Sequence, residues 1–421
     1  MDPDAIAAIR THDDQRGLSF FGETPYVYHC HHYNLFHDQT IDDVLGEERG
    51  TQVRTAAARD AFRQLLDECF TAAGAQTPAE RIGLAQTLFA AMGHGKTSIE
   101  ADADGGGRIT GSHLHYGLCW REKYGQKVKR FDPADAVTAG FGIAAVELAH
   151  RLHSGELRAI EKLCIAQRDP TCEIELSRGE APRPAEVLGK SRVGSSPAQR
   201  GLWEDQIEPI VEGLLQFLGG VAGDERGLVQ AFNVFVTAHL SNYYNATIFE
   251  AMHELERTSP AVAGSGEKLF REAGHVCVFN TFGNILLSPE WESLVGPLPD
   301  DPEAITAFNL AIARSLGFGH WLVPEFEVGK RLVLRTTTNY EAPFYINRYG
   351  LADRPRCYVT EGAALAFAVL AHRVKWSQRP SLDQAFYDSL FRGAGLGWET
   401  EVVADQARGD DVTEIVVTKS S

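Results

Sequence analysis

The chain has 421 residues, 44% hydrophobic and 23% charged, with a net charge of −17 from 57 acidic and 40 basic side chains. That length predicts more than one domain, and the acidic excess excludes the clustered Lys and Arg that nucleic-acid phosphates require. No apolar run reaches the roughly 18 residues of a membrane span, no basic and apolar leader opens MDPDAIAAIR, and seven scattered cysteines fit a reducing compartment better than a disulfide framework.

A cytoplasmic protein with no nucleic-acid or membrane partner is therefore expected. In chain order, PYVYHCHHY (25–33) is aromatic-rich and reads as a strand. Alternation along it puts His29, His31 and Tyr33 on one face, and Cys30, His32 and Asn34 on the other. Helical stretches follow, among them 51–74. GHGKT (93–97) lacks the opening glycine of a phosphate loop, since position 90 is Ala90, and reads as a helix-to-strand turn. TSIEADADGGGRITGSHLHYGL (97–118) reads as a hairpin turning at 104–107, with His113 and His115 on one face of its second strand. REKYGQKVKR (121–130) reads as a solvated hairpin or helix end. A helix over 134–153 and a strand at CEIEL (172–176) close the unit. Residues 177–200, rich in Pro, Gly, Ser and charge, read as linker. The apolar spacing of 203–223 and 228–258 predicts helices.

Four blocks recur in the same order, which points to an internal duplication. HCHHYNLF (29–36) pairs with HVCVFNTF (275–282), and LFAAMGHGK (88–96) with AIARSLGFGH (311–320). HLHYGLCWREKYG (113–125) pairs with TTNYEAPFYINRYG (337–350), and TAGFGIAAVELAHR (138–151) with TEGAALAFAVLAHR (360–373). The offset falls from 246 for the first block to 222–225 for the rest, which places an extra helix of the first copy within 51–74. The expected architecture is α+β: a His-rich domain over 1–176, a linker over 177–200, a helical connecting segment over 201–258, and a second, degenerate domain over 259–421. Two related tandem domains of this kind would form an intrachain pseudo-dimer.

Ten of the 15 His lie before residue 154. On the block alignment the first copy carries imidazole at 31, 32, 37, 113 and 115 where the second does not. Two His-x-His pairs on two strands of one sheet can surround a single point, so His29, His31, His113 and His115 are the candidate metal ligands. His32, His37, His94, Lys96 and Tyr33 are candidate substrate contacts nearby. For His29 and Asn34, present in both copies, the plain alternative is structural hydrogen bonding. Glu147-x-x-His150 and Glu250-x-x-His253 repeat the local pattern of di-iron helix bundles, a pattern that also arises by chance.

A separate cluster, EKLCIAQRDPTCEIEL (161–176), holds Glu161, Cys164 and Cys172 around a turn, a set that binds zinc given one more ligand. Its Cys-containing strand, Asp-Pro turn and Cys-x-Ile, with the small-residue helix start AGFGIAA, resemble the 4-vinyl reductase-type domain. In aromatic-sensing activators that carry this domain, a Glu-x-x-Cys-x7-Cys set and one upstream Cys hold zinc. Glu161, Cys164 and Cys172 keep that spacing, whereas the upstream position falls near Thr138. The resemblance implies an α+β domain that takes small, often aromatic or tetrapyrrole-derived, molecules and pairs two-fold. Two functions are then expected. One is a metal-dependent enzyme acting on a small organic molecule, such as a non-haem iron oxidoreductase, with iron or zinc in the His-rich copy. The other is a small-molecule or haem-binding sensor without catalysis, either form open to oligomerisation.

Overall fold

The computed structural model describes residues 9–125, 132–179, 200–392 and 397–420. Most of the expected linker (180–199) and the end of the basic run (126–130) lie outside the described residues. The first repeat runs β1 (Arg10–Asp13), β2 (Leu18–Phe21), β3 (Thr24–Cys30), α1 (His31–Leu45), α2 (Glu47–Ala72), α3 (Pro78–Ala91), β4 (Ser98–Ala101), β5 (Gly107–Gly111), α4 (His115–Tyr124), α5 (Ala136–Ala149), β6 (Leu157–Leu163) and β7 (Cys172–Arg178). After α6 (Glu204–Gly219) the order recurs: β8 (Val229–Ala231), β9 (Val234–Leu240), α7 (Ser241–Thr258), α8 (Ala263–Cys277), α9 (Gly283–Leu286), α10 (Pro289–Leu294), α11 (Pro302–Ser315), β10 (Trp321–Glu327), β11 (Arg331–Thr336), α12 (Glu341–Tyr349), α13 (Tyr358–Arg373), α14 (Gln384–Phe391), β12 (Trp398–Ala404) and β13 (Thr413–Lys419). The fold class is α+β, as the sequence predicts. Among the described residues no helix is long and apolar enough to cross a membrane.

Each repeat builds its own antiparallel four-stranded sheet, β4-β5-β7-β6 and β10-β11-β13-β12. A third sheet, β1-β2-β3-β9-β8, takes strands from both. Its central pair sets Tyr26 against Leu240, Tyr28 against Ala238 and Cys30 against Val236. Adding 210 to the first-repeat numbers gives back the same pairing, since 26 becomes 236, the partner of 30.

Local sequence explains the helix ends. Thr77 and Glu80 form a reciprocal capping box at α3, and Pro78 fills the first turn, where no N–H is needed. At α11 the Asp301 carboxylate caps the first turn and Pro302 fills it in the same way. The helix pairs α2–α5 and α8–α13 pack backbone to backbone. A Cβ at Gly140 would collide with the Thr55 carbonyl, and one at Gly362 with the Arg271 carbonyl.

Several sequence expectations are corrected. Strand β3 stops at Cys30, so His31, His32, Tyr33 and Asn34 begin α1 instead of continuing the alternation. Strand β5 stops at Gly111, which leaves His113 in a bend and His115 at the start of α4. The counterpart of β3–α1 is β9–α7, not 275–282, which runs from the end of α8 into a π-helical turn (Val278–Phe282). Asn34 and Asn280 thus lie in unlike places, and His29 corresponds to His239. The span 228–258, expected to be helical, begins with two strands. The extra helix also changes repeat: 51–74 lies in and just after α2, and the second repeat carries the additions, α10 and α14, with offsets of 210 at β3/β9, 224 at α3/α11 and 241 at β6/β12. The remaining three blocks coincide in element order.

Gly140→Val tests the backbone contact of α2 with α5. Overpacking of this kind costs about 1–3 kcal/mol, and urea denaturation should show a loss at the upper end of that range with the m-value unchanged.

Candidate metal centre and ligand chamber

Asp135, Glu161, Cys164 and Cys172 bring their ligand atoms within 4.8 Å of one another. Glu161 comes from β6, Cys164 from the residue after that strand, at the head of a 3-10 turn (Ile165–Gln167), and Cys172 from the start of β7, so the hairpin clamps three of the four. Asp135 stands at the N-terminus of α5, and its backbone N–H donates to Glu161 Oε2 at 3.0 Å. The Cys172 thiol donates to Asp135 Oδ2 at 3.1 Å and accepts from the Ile165 N–H at 3.3 Å. Glu161 Oε1 is buried without a hydrogen-bond donor. Four acidic groups without a cation oppose each other's ionisation. Burial first, then Asp135, pushes the Glu161 carboxyl well above its usual range. The hydrogen bond with Cys172 lowers Cys164 to about 6 and raises Cys172 in turn. A divalent cation would relieve this opposition, and these four residues could hold a metal ion.

The second repeat has dismantled the same place. Strands β12 and β13 put Val402, Asp405 and Thr413 where β6 and β7 put Glu161, Cys164 and Cys172. Asp405 there accepts backbone N–H bonds from Arg356 at 2.6 Å and Ala407 at 3.0 Å. Thr413 Oγ1 accepts from Asn339 Nδ2 at 3.1 Å and the Gln406 N–H at 3.2 Å. Hydrogen bonds tie the turn where the first repeat offers ligands.

The histidines do not form the expected centre. Among the described residues the Asp135 group is the one set of three or more His, Cys, Asp or Glu that converges this way. His113 is half-exposed and bonds Ser112 at 2.9 Å. His31 and His32 are half-buried against each other, their rings tilted by 37° with centroids 3.9 Å apart. His29, His37, His94, His115 and His239 are buried among Tyr33, Tyr116, Tyr243 and Tyr244 where the repeats meet. Asn34 ties this cluster together: its amide donates to His115 Nε2 and Thr237 Oγ1, both at 3.0 Å, and its oxygen accepts from the Tyr244 hydroxyl at 2.7 Å. His37 Nε2 meets Thr247 Oγ1 at 2.8 Å, and Tyr33 stacks on His29 at 3.8 Å. Burial holds His29, His94, His115 and His239 well below the ordinary imidazole range and His37 at about 3, so all five are neutral. Lys96 is exposed at a surface cleft, apart from His94. The di-iron pattern does not assemble either. Glu147 binds Arg63 and the N–H groups of Gly155 and Leu157, and Glu250 binds Arg348 and Tyr349.

A cavity lies in the second repeat, between α8, α11, α13 and the β10–β11 hairpin. About 40 Å³ of it is open to a water-sized sphere, within about 490 Å³ when the gaps between wall atoms and the solvent at its mouth are counted. Phe282, Phe318, Trp321, Tyr340 and Phe367 line it, with Cys277 and Thr360 as polar points. The corresponding space of the first repeat is filled. There His94, Phe89 and Phe141 form one stack, at 4.7 and 4.0 Å, with Phe62 edge-on to Phe141. Offsets of 224 along α3/α11 and 222 along α5/α13 turn that stack into Phe318, Ala313 and Ala363. Two Phe-to-Ala differences open the chamber. Sequence reasoning passed over it because alanines on a helix carry no signal of the space beside them.

No family model matches the chain, and no curated protein matches it. Among solved structures, the crystal structure of the phenol-responsive sensory domain of the transcription activator PoxR with phenol is 13% identical, with a TM-score of 0.35. The match covers 42% of this chain and 88% of that one.

Two outcomes follow from these sites. Metal binding must strip protons from Glu161 and Cys172, so zinc affinity, measured by competition with a chromophoric chelator, should rise with pH and be lost in Cys164→Ser. The five buried imidazoles have lowered pKa values, so only the unfolded chain takes up their protons as pH falls below about 6.5. Stability to urea should therefore be full above that pH and fall below it, by about 1.4 kcal/mol per pH unit for each imidazole.

Proposed function

We propose that this chain is a small-molecule-binding protein whose ligand chamber lies in the second repeat. The observation that carries this reading is the exchange of Phe89 and Phe141 for Ala313 and Ala363, which exposes an aromatic-lined cavity. Such walls select by shape and apolar burial, and the scarcity of polar groups favours a small neutral ligand, a single aromatic ring entering only as the walls give beyond the 40 Å³ open at rest. The first repeat, with its chamber filled, serves as the scaffold against which the second is held, and the two form an intrachain pseudo-dimer through β3 and β9. The Asp135–Glu161–Cys164–Cys172 group fits zinc in a closed, structural role, because four protein ligands leave no open position for substrate. This reading favours the binding function over the metal-dependent enzyme, whose motive was a histidine centre.

Toluene is a suitable probe. It should alter the fluorescence of Trp321, read against Trp321→Phe, and bind in calorimetry. The Ala313→Phe, Ala363→Phe double variant copies the first repeat and should stay folded. Its loss of ring burial, about 1.5–3 kcal/mol, should weaken toluene binding by at least tenfold. Unchanged binding in that variant would place the ligand elsewhere.

A further inference from the structure

Cys277 lines the chamber and is also the last residue of α8, where the helix passes into the π-helical turn. Insertions of this kind in a helix are frequent at functional sites. Its Sγ lies 3.4 Å from Nδ1 of His29, which reaches across from the first repeat on β3. His29 is fully buried, its Nε2 has no hydrogen-bond partner, and its ring meets the chamber wall edge-on at Phe318, 5.0 Å away. Tyr33 stacked on one side and Tyr244 edge-on at 4.8 Å fix the imidazole plane. A thiol, an oriented base and an apolar space for a reactant therefore adjoin one another, the arrangement that an activated nucleophile requires.

Resting on the reading of the chamber as a ligand site, we propose that Cys277 and His29 form a nucleophilic dyad that captures apolar electrophiles bound there, specifically α,β-unsaturated carbonyl compounds. Sγ adds to the β-carbon. The new S–C bond forms as the C=C π bond breaks, the thiol proton passes to His29 Nδ1, and the same proton is delivered to the α-carbon. The product is a thioether, with no net change of oxidation state and no further reactant. Burial raises the Cys277 thiol and lowers the His29 imidazole, so the resting pair is a neutral thiol beside a neutral base. The base then acts during addition, not by storing a thiolate.

The fusion of two repeats gives this pair its geometry, since neither repeat contains both members. Position 239, the counterpart of His29, is again His, but His239 Nε2 pairs with the Tyr116 hydroxyl at 3.0 Å instead of a thiol. Cys119 is a built-in comparison: its Sγ is 3.9 Å from His115 Nδ1, and it is buried outside the chamber wall.

The test uses the full chain and cinnamaldehyde, an aromatic enal, with adducts located by peptide mass spectrometry. Cys277 should be alkylated ahead of Cys119 and of the five other cysteines, all buried, and toluene should slow the reaction. His29→Asn should reduce the rate at least tenfold, in line with the contribution of a positioned base, while toluene still binds. His29→Gln serves if the Asn variant does not fold. Toluene binding without a Cys277 adduct, or an adduct formed equally fast in the His29 variant, would overturn the dyad and leave the chamber standing. Alkylation of Cys277 that toluene does not slow would overturn capture from the chamber. Absence of both toluene binding and adduct would remove the chamber reading itself.

Discussion

The pairing of β3 with β9 is the constraint on which the other features depend. It joins the two repeats edge to edge, so both strands lose solvent on both faces and every polar group nearby needs an internal partner. Asn34 supplies several at once, serving His115 and Thr237 as donor and Tyr244 as acceptor. Just outside this network, the buried Arg54 guanidinium holds Asp38 and Asp42 of α1, and Tyr243 of α7 donates to Asp38 at 2.7 Å. Removing Arg54 would leave two buried carboxylates without their cation, which is far more costly than the pairs' net contribution. The seam is thus specific: shifting the register by one residue would reverse the faces of the strands and separate these partners.

From that shared frame the repeats diverge in opposite directions. The first closes its chamber with stacked aromatics and keeps the four acidic groups at its closing hairpin. The second puts Val402, Asp405 and Thr413 in place of three of them, with Asp405 bonded to backbone N–H groups and Thr413 to Asn339 and the Gln406 N–H, and opens its chamber by truncating two rings. A cavity loses packing energy in proportion to the atoms removed. A well-filled first repeat locked onto the same sheet offsets that loss. The chamber is also walled at one end by residues in contact with the other repeat, since Cys277 and Phe318 both touch His29.

What the sequence revealed followed how local each signal was. The Glu161, Cys164 and Cys172 spacing lies on one hairpin, and their convergence needs only that the hairpin close. Asp135 completes the group from 26 residues upstream. The sequence does not mark it, because the family spacing puts the fourth ligand near Thr138 as a cysteine and an aspartate before a helix reads as an ordinary cap. The three later blocks fall in matching elements of the two repeats, two of them at a helix-turn or turn-helix junction and the third within α5 and α13. The first failed because β3 and β9 are alike in pattern but not in letters, whereas 275–282 resembles 29–36 in letters but is helical. Reading the alternation past Cys30 then placed His31 and Tyr33 on a strand face that does not exist.

The abundance of histidine in the first repeat has a packing explanation. A neutral imidazole is a flat ring with one donor and one acceptor. It can stack as His29 does on Tyr33 and His94 does on Phe89, and still serve a hydrogen-bond network as His115 and His37 do. Phenylalanine could fill the same volume but would leave Asn34 and Thr247 short of partners, whereas a carboxamide would serve those partners but stack poorly. Burial keeps the rings uncharged, so their closeness produces no repulsion at neutral pH, and the need for a shared metal to hold them together disappears. The one imidazole that meets a thiol at a cavity wall, His29, sits in the same cluster as the rest. It differs because its neighbour in the second repeat borders empty space, so the base and the chamber come from different halves of the duplication.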